Sequence, residues 1–168
     1  MNAPSAATTA ASPSAISPGM DTPGMDTPVM DTPTAFAAVA LAAVSWDGVL
    51  TMAGTRALRH ALDYRPPFRE RSDAEMIALM DALLRALRDR GARGLMVDAA
   101  AVLDERQRHT AYAVATEIMR SDGPLQEQEQ QILACLAEHL HLDPEETAKV
   151  GEVMDVLHAS IEDPAKPA

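Results

Sequence analysis

The stretch Tyr112-Ala-Val-Ala-Thr-Glu117-Ile-Met-Arg-Ser-Asp122-Gly123-Pro-Leu125-Gln-Glu127-Gln-Glu129-Gln-Gln-Ile132-Leu133 predicts one helix, a sharp break and a second helix. Tyr112, Ala115, Ile118 and Met119 keep the 3-4 spacing of a buried helical stripe. Gly123 can take a positive φ without steric cost, so the chain can leave the first helix there. Leu125, Ile132, Leu133, Leu136 and Leu140 then rebuild a stripe of the same period. Between the stripes lie three carboxylates, Asp122 in the turn and Glu127 and Glu129 early in the next helix. Near a helix N-terminus such groups are stabilised by the dipole. They also suit a hard cation.

The same arrangement occurs earlier. Val44-Ser-Trp46-Asp47-Gly48-Val49-Leu50 aligns with Met119-Arg-Ser121-Asp122-Gly123-Pro124-Leu125, and the alignment continues with Ala57 and Leu58 opposite Ile132 and Leu133. Two such units suggest a pseudo-duplicated helical hairpin. Gly54 stands where the second copy has Glu129, so the first copy lacks the helix carboxylate.

The chain has 168 residues, enough for one domain with a sizeable core. Its aromatic content is only 3%, so the core must be built from Ala, Leu, Met and Val, which suits close-packed helices. The single cysteine, Cys135, excludes an internal disulfide. The net charge of −11 is unevenly spread: residues 56–93 hold nine arginines against six acids, and 94–168 hold fifteen acids against five bases. The asymmetry argues against nucleic-acid binding by the whole domain. It leaves a basic face for an acidic partner or lipid headgroups and an acidic face for cations, unless both are simply solvated.

Residues 1–33 are rich in Ala, Ser, Thr and Pro and repeat Met-Asp-Thr-Pro from Met20, Met25 and Met30. The prolines oppose helix and sheet, and the apolar surface is too small to offset ordering, so a disordered tail is expected over 1–33. It has neither the basic start nor the continuous apolar segment of a signal peptide. A helical domain is expected over 34–161 and a disordered C-terminus over 162–168. The first helix is expected to start near Thr34 and is too short to span a membrane. Thr51 can cap the second, and Arg65-Pro66-Pro67-Phe68 forms a loop. The capping box Ser72-Asp-Ala-Glu75 starts a long helix with Met76, Ile77, Met80, Leu83, Leu84 and Leu87 on one face and Gly91 as its stop. A fourth helix is expected over Leu95–Leu103, and the fifth and sixth flank Asp122-Gly123. Asp143-Pro144 starts a seventh that turns Val150, Val153, Met154 and Leu157 inward. No segment alternates as a strand does. The fold class is all-α, a compact bundle of about seven helices with pseudo-duplicated hairpins.

The ordered Asp-Gly breaks, the Ser72–Arg90 helix, the segment Arg108-His-Thr-Ala-Tyr-Ala-Val-Ala-Thr-Glu-Ile-Met-Arg-Ser-Asp122-Gly and the closing Ala137-Glu-His-Leu-His-Leu-Asp-Pro resemble the TerB-like family of tellurite-resistance proteins over about Phe36 to Ala159. The resemblance implies a non-enzymatic role in a cytoplasmic stress response to tellurite, other oxyanions or envelope stress, exerted through protein partners. It also implies a metal-binding centre, which falls on Asp47, Asp122, Glu127 and Glu129. Gly54 departs from a symmetric site. Calcium or magnesium suits such an oxygen-donor set better than zinc.

The same residues fit a structural role, with Asp47 and Asp122 holding tight turns and the glutamates pairing with a helix N-terminus at about 0.3–1 kcal/mol each. His139 follows Cys135 by one helical turn, a spacing open to zinc but also to a surface imidazole beside a core thiol. His109 can pair with Glu105, while His141 and His158 read as solvated. No nucleophile elbow, phosphate loop or His-Glu-x-x-His motif is present, so catalysis by a metal-dependent enzyme finds little support. The main alternative is a peripheral protein at the inner face of an anionic membrane, using the arginines of 56–93 with Phe68 as the inserting residue.

Overall fold

Asp31, not Thr34, opens the first helix. In the computed structural model, which describes residues 30–46, 49–121 and 123–161, α1 spans Thr32–Val44, and the Asp31 carboxylate accepts a hydrogen bond from the Thr34 N–H at 2.8 Å. Pro33 falls in the first turn, where a missing N–H removes no helical bond. The last Met-Asp-Thr-Pro copy is therefore a helix start, and Met30 packs against the core. Ordered structure reaches back into the expected tail. The rest of that tail, and residues 162–168, lie outside the described residues.

The elements that follow are α2 (Met52–Asp63), a 3-10 turn (Phe68–Glu70), α3 (Asp73–Val102), α4 (Glu105–Met119), α5 (Glu127–His139) and α6 (Pro144–Leu157). The described residues thus form an all-helical bundle of six helices, not seven. The separate helix expected over Leu95–Leu103 is the far half of α3. Gly91 takes φ 68° and ψ 171°, a positive-φ conformation cheap only for glycine, so helical geometry is interrupted there as expected. α3 is one bent element with a helical segment on each side of Gly91. The expected capping box at Ser72 holds, its N–H donating to Glu75 at 2.8 Å. Asp143 caps α6 by accepting from the Glu145 N–H at 2.7 Å, but no box closes there, since Glu146 pairs with His109. Asp104 and Gln107 form a further box at the start of α4.

The core is organised around α1. Eight of its residues, Ala35 and Ala37 through Ala43, are buried, and it packs against α2, α3, α4 and α5. A helix apolar on every side is stable only when neighbours surround it, and alanine lets them come close. Its last turn closes through Ser45, fully buried, whose hydroxyl donates to the Leu41 carbonyl at 2.6 Å.

Several expected core positions face outward instead. Ile77 on α3 is 59% exposed, and Val153 and Leu157 on α6 are 54% and 66% exposed. α6 packs on α4, with Met154 buried and Val150 half-buried against the core, so the Val153 and Leu157 edge of the helix is left outside. Two polar contacts pin it there, His109 Nε2 to Glu146 at 2.8 Å and Arg120 to Asp155. His109 therefore pairs across helices and not with Glu105. Phe68 is only 3% exposed, its ring 6.1 Å from that of Phe36, so it cannot serve as a membrane-inserting residue. No helix among the described residues is long and apolar enough to cross a membrane.

Candidate functional site

Described residues that flank the two inter-helix breaks line one cavity. α1 ends at Val44 and α4 at Met119, while α2 starts at Met52 and α5 at Glu127, so the paired helix ends and starts keep one common offset in sequence. Between these corners lies a cavity of about 240 Å³, walled by Val44, Trp46, Thr51 and Gly54 from the first break and by Met119, Ser121 and Glu129 from the second. Gly123 at the second break has φ 135°, the positive value expected of it.

Of the four expected ligands, Asp47 and Asp122 lie outside the described residues. The other two part company. Successive helical residues are rotated by about 100°, so residues two apart point to nearly opposite sides. Glu129 is half-buried and lines the cavity, whereas Glu127 is exposed and does not. Glu129 also caps its own helix, one carboxylate oxygen accepting the Gln126 N–H at 2.7 Å. The structural role foreseen for it is therefore present, and the second carboxylate oxygen remains for another ligand.

The departure at Gly54 has a steric reason. A Cβ at this position would lie 3.3 Å from Val44 Cβ and 3.3 Å from Thr51 Oγ1. Glycine lets the start of α2 close against the end of α1, and Thr51 caps α2 by accepting the Gly54 N–H at 3.0 Å. Among the described residues, the first corner contributes this packing and the second contributes the Glu129 carboxylate.

The cavity offers oxygen donors from Glu129, Ser121 and Thr51 against apolar walls, with neither histidine nor cysteine among its lining residues. That donor chemistry fits calcium or magnesium and not zinc. The described residues contain no cluster of three or more His, Cys, Asp or Glu side chains able to hold a metal. A complete site there would need the two aspartates of the breaks. The Cys135–His139 pair does not supply an alternative, because His139 Nδ1 lies 2.7 Å from the Cys135 carbonyl and 3.6 Å from its sulfur, and no third ligand joins them. Trp46 is half-buried at the cavity wall, with the Arg93 guanidinium 5.9 Å from its ring centre. Burial pushes the Tyr112 phenol up, against a hydrogen bond from Thr116 that lowers it, but Tyr112 does not line the cavity.

A larger open groove of about 740 Å³ adjoins the cavity, sharing Ala53, Ala57, Ile118 and Ser121 with it. Arg56, His60, Tyr64 and His158 edge it. The sequence carried a signal for this groove, since residues 56, 60 and 64 recur at one-turn spacing on α2 beside the alanines 53, 57 and 61. Comparisons of the chain with protein-family models, characterised proteins and solved structures give no match.

Proposed function

We propose that this chain is a TerB-like stress-response module that acts by holding protein partners, with a divalent cation, calcium or magnesium, at the junction of its two helix breaks. The observation that carries the reading is the shared cavity, in which Gly54 and Glu129 hold corresponding positions after the two breaks. The common offset of the flanking helix ends favours a pseudo-duplicated hairpin. In this reading Glu129, Asp47 and Asp122 supply the charged ligands, and Glu127, turned to solvent, adds only long-range negative charge. A bound cation would tie the two breaks together and stiffen the corner that a partner meets.

Titration calorimetry with calcium, magnesium and zinc tests the cation. Wild type is expected to bind calcium or magnesium with a change in Trp46 emission, and Asp122→Ala and Glu129→Gln to weaken binding at least tenfold. Glutamine can still accept the Gln126 N–H, so the second variant keeps its helix cap. Absence of heat with every ion would remove the metal from the proposal. Deletion of the gene from its own host tests the stress role: tellurite tolerance should fall and return with wild type, and unchanged tolerance would refute it.

A further inference from the structure

We infer that the groove between α2 and α4 is a docking site for an acidic peptide segment of a partner protein, seated by one apolar side chain and held by its carboxylates. The inference rests on the partner-binding reading and supplies the surface and the chemistry that reading lacks.

The floor of the groove is small and apolar, formed by Ala53, Ala57 and Ala61 of α2 and Ile118 of α4. Alanines one turn apart lower the floor, leaving room for a larger side chain from outside. α2 has 12 residues and is therefore about 18 Å long, the span of five or six extended residues.

The edge decides the charge of the occupant. Most arginines of the region are already engaged: Arg59 pairs with Asp63 and Asp73, Arg65 with Glu117, and Arg90 with Asp98, while Arg71 covers Phe68 and Arg93 faces Trp46. Arg56, His60 and His158 stand apart. None has an ion pair among the described residues, and all three border this groove. Glu117 is the one acidic residue lining it, and it is tied to Arg65 at 3.4 Å. His60 is held edge-on to Tyr64, ring centres 4.9 Å apart, so the two rings form a fixed side wall. In a chain of net charge −11, a guanidinium with no ion pair among the described residues, Arg56, stands on this concave surface beside two imidazoles that offer N–H donors. The arrangement favours an anionic occupant there while the molecule as a whole repels one. Arginine also favours carboxylates through paired, parallel hydrogen bonds. The burial of Phe68 takes away the apolar anchor that a lipid surface would require, which favours a peptide.

The test uses the full chain and fluorescein-labelled hexapeptides read by fluorescence anisotropy at physiological salt. One peptide alternates leucine and glutamate, one replaces leucine with serine, and one replaces glutamate with lysine. The leucine–glutamate peptide is expected to bind with a dissociation constant on the order of 100 µM. The serine and lysine peptides should bind at least tenfold more weakly. Arg56→Glu and His158→Glu, both at exposed positions, should each weaken binding about tenfold, whereas Arg88→Glu on α3 should leave it unchanged. Equal loss in Arg88→Glu, or preference for the lysine peptide, would overturn the inference. Binding to phosphatidylglycerol vesicles with no peptide binding would overturn it in favour of a membrane surface. Failure of the peptide with cation binding and tellurite tolerance intact would sink the groove alone. Peptide binding without either of those would leave the groove standing and remove the stress-module reading.

Discussion

The enclosure of α1 can be tested by adding carbon to it. Ala37, Ala42 and Ala43 are 0%, 0% and 3% exposed. At about 100° per residue they point in three directions, roughly a third of a turn apart. Leucine at any of them inserts three more carbons between α1 and a neighbour. If packed helices lie on every side, each of Ala37→Leu, Ala42→Leu and Ala43→Leu forces neighbouring side chains off their rotamers and costs about 1–3 kcal/mol. On an open face the same change would stay within about 0.5 kcal/mol of wild type. Domains of this size are stable by about 5–15 kcal/mol, so each loss would be plainly visible. Urea unfolding followed by circular dichroism at 222 nm and by the single tryptophan, Trp46, measures it. The midpoint should fall in all three variants with the denaturant slope unchanged. A single variant as stable as wild type would show that α1 has a free side and that its place at the centre of the bundle is wrong.

Phe68→Ala should cost about 3–5 kcal/mol in the same urea assay, since it empties a buried contact with Phe36; a membrane-inserting Phe68 would instead leave stability unchanged. Asp31→Ala should destabilise by about 1 kcal/mol at neutral pH through loss of the helix cap. Hydrogen bonding to Thr34, from its side chain and then its backbone, holds the Asp31 carboxyl below its ordinary value of 3.8. That contribution is present above the unfolded value and is lost as pH falls through the lower folded one, so the melting temperatures of wild type and variant should converge in acid. A gap that persists after the carboxylate is protonated would refute the cap. Asp155→Ala should cost no more than about 1 kcal/mol because Asp155 is 68% exposed, yet it leaves Arg120 without its partner on α6. Amide exchange should rise in α6 ahead of α4, and uniform exchange would show that the contact does not pin the helix.

The all-helical class was legible because local signals there agree with the tertiary answer. Ser72 with Glu75 and Asp143 with Pro144 mark helix starts by direct backbone chemistry, which no neighbour needs to confirm. Periodicity worked where a helix has a wet side, as with Leu58, Ala61 and Leu62 on α2. It failed at both extremes. α1 has no stripe to read because every face is apolar, so nothing in its pattern announces that the other helices pack around it. α6 does carry a stripe, but only its Met154 edge meets α4, and Val153 and Leu157 remain outside. The count of seven failed for another reason. Glycine marks the break, and Gly91 does interrupt the helical backbone, but whether the chain then turns away or runs on as one bent element depends on what packs beyond it.

The candidate site divides along the same line. Sequence spacing aligned the two breaks, and Gly54 and Glu129, which follow them, line one cavity. Spacing could not sort Glu127 from Glu129 without the helix phase, which sends one carboxylate to solvent and the other to the cavity. Nor could it show why Gly54 breaks the symmetry. With 3.3 Å to Val44 Cβ and to Thr51 Oγ1, any side chain there would make these two neighbours give by a few tenths of an ångström, so glycine is the residue that fits without adjustment. Among the described residues the carboxylate at the cavity comes from Glu129 of the second corner, and the first corner contributes Gly54 packed against Val44 and Thr51.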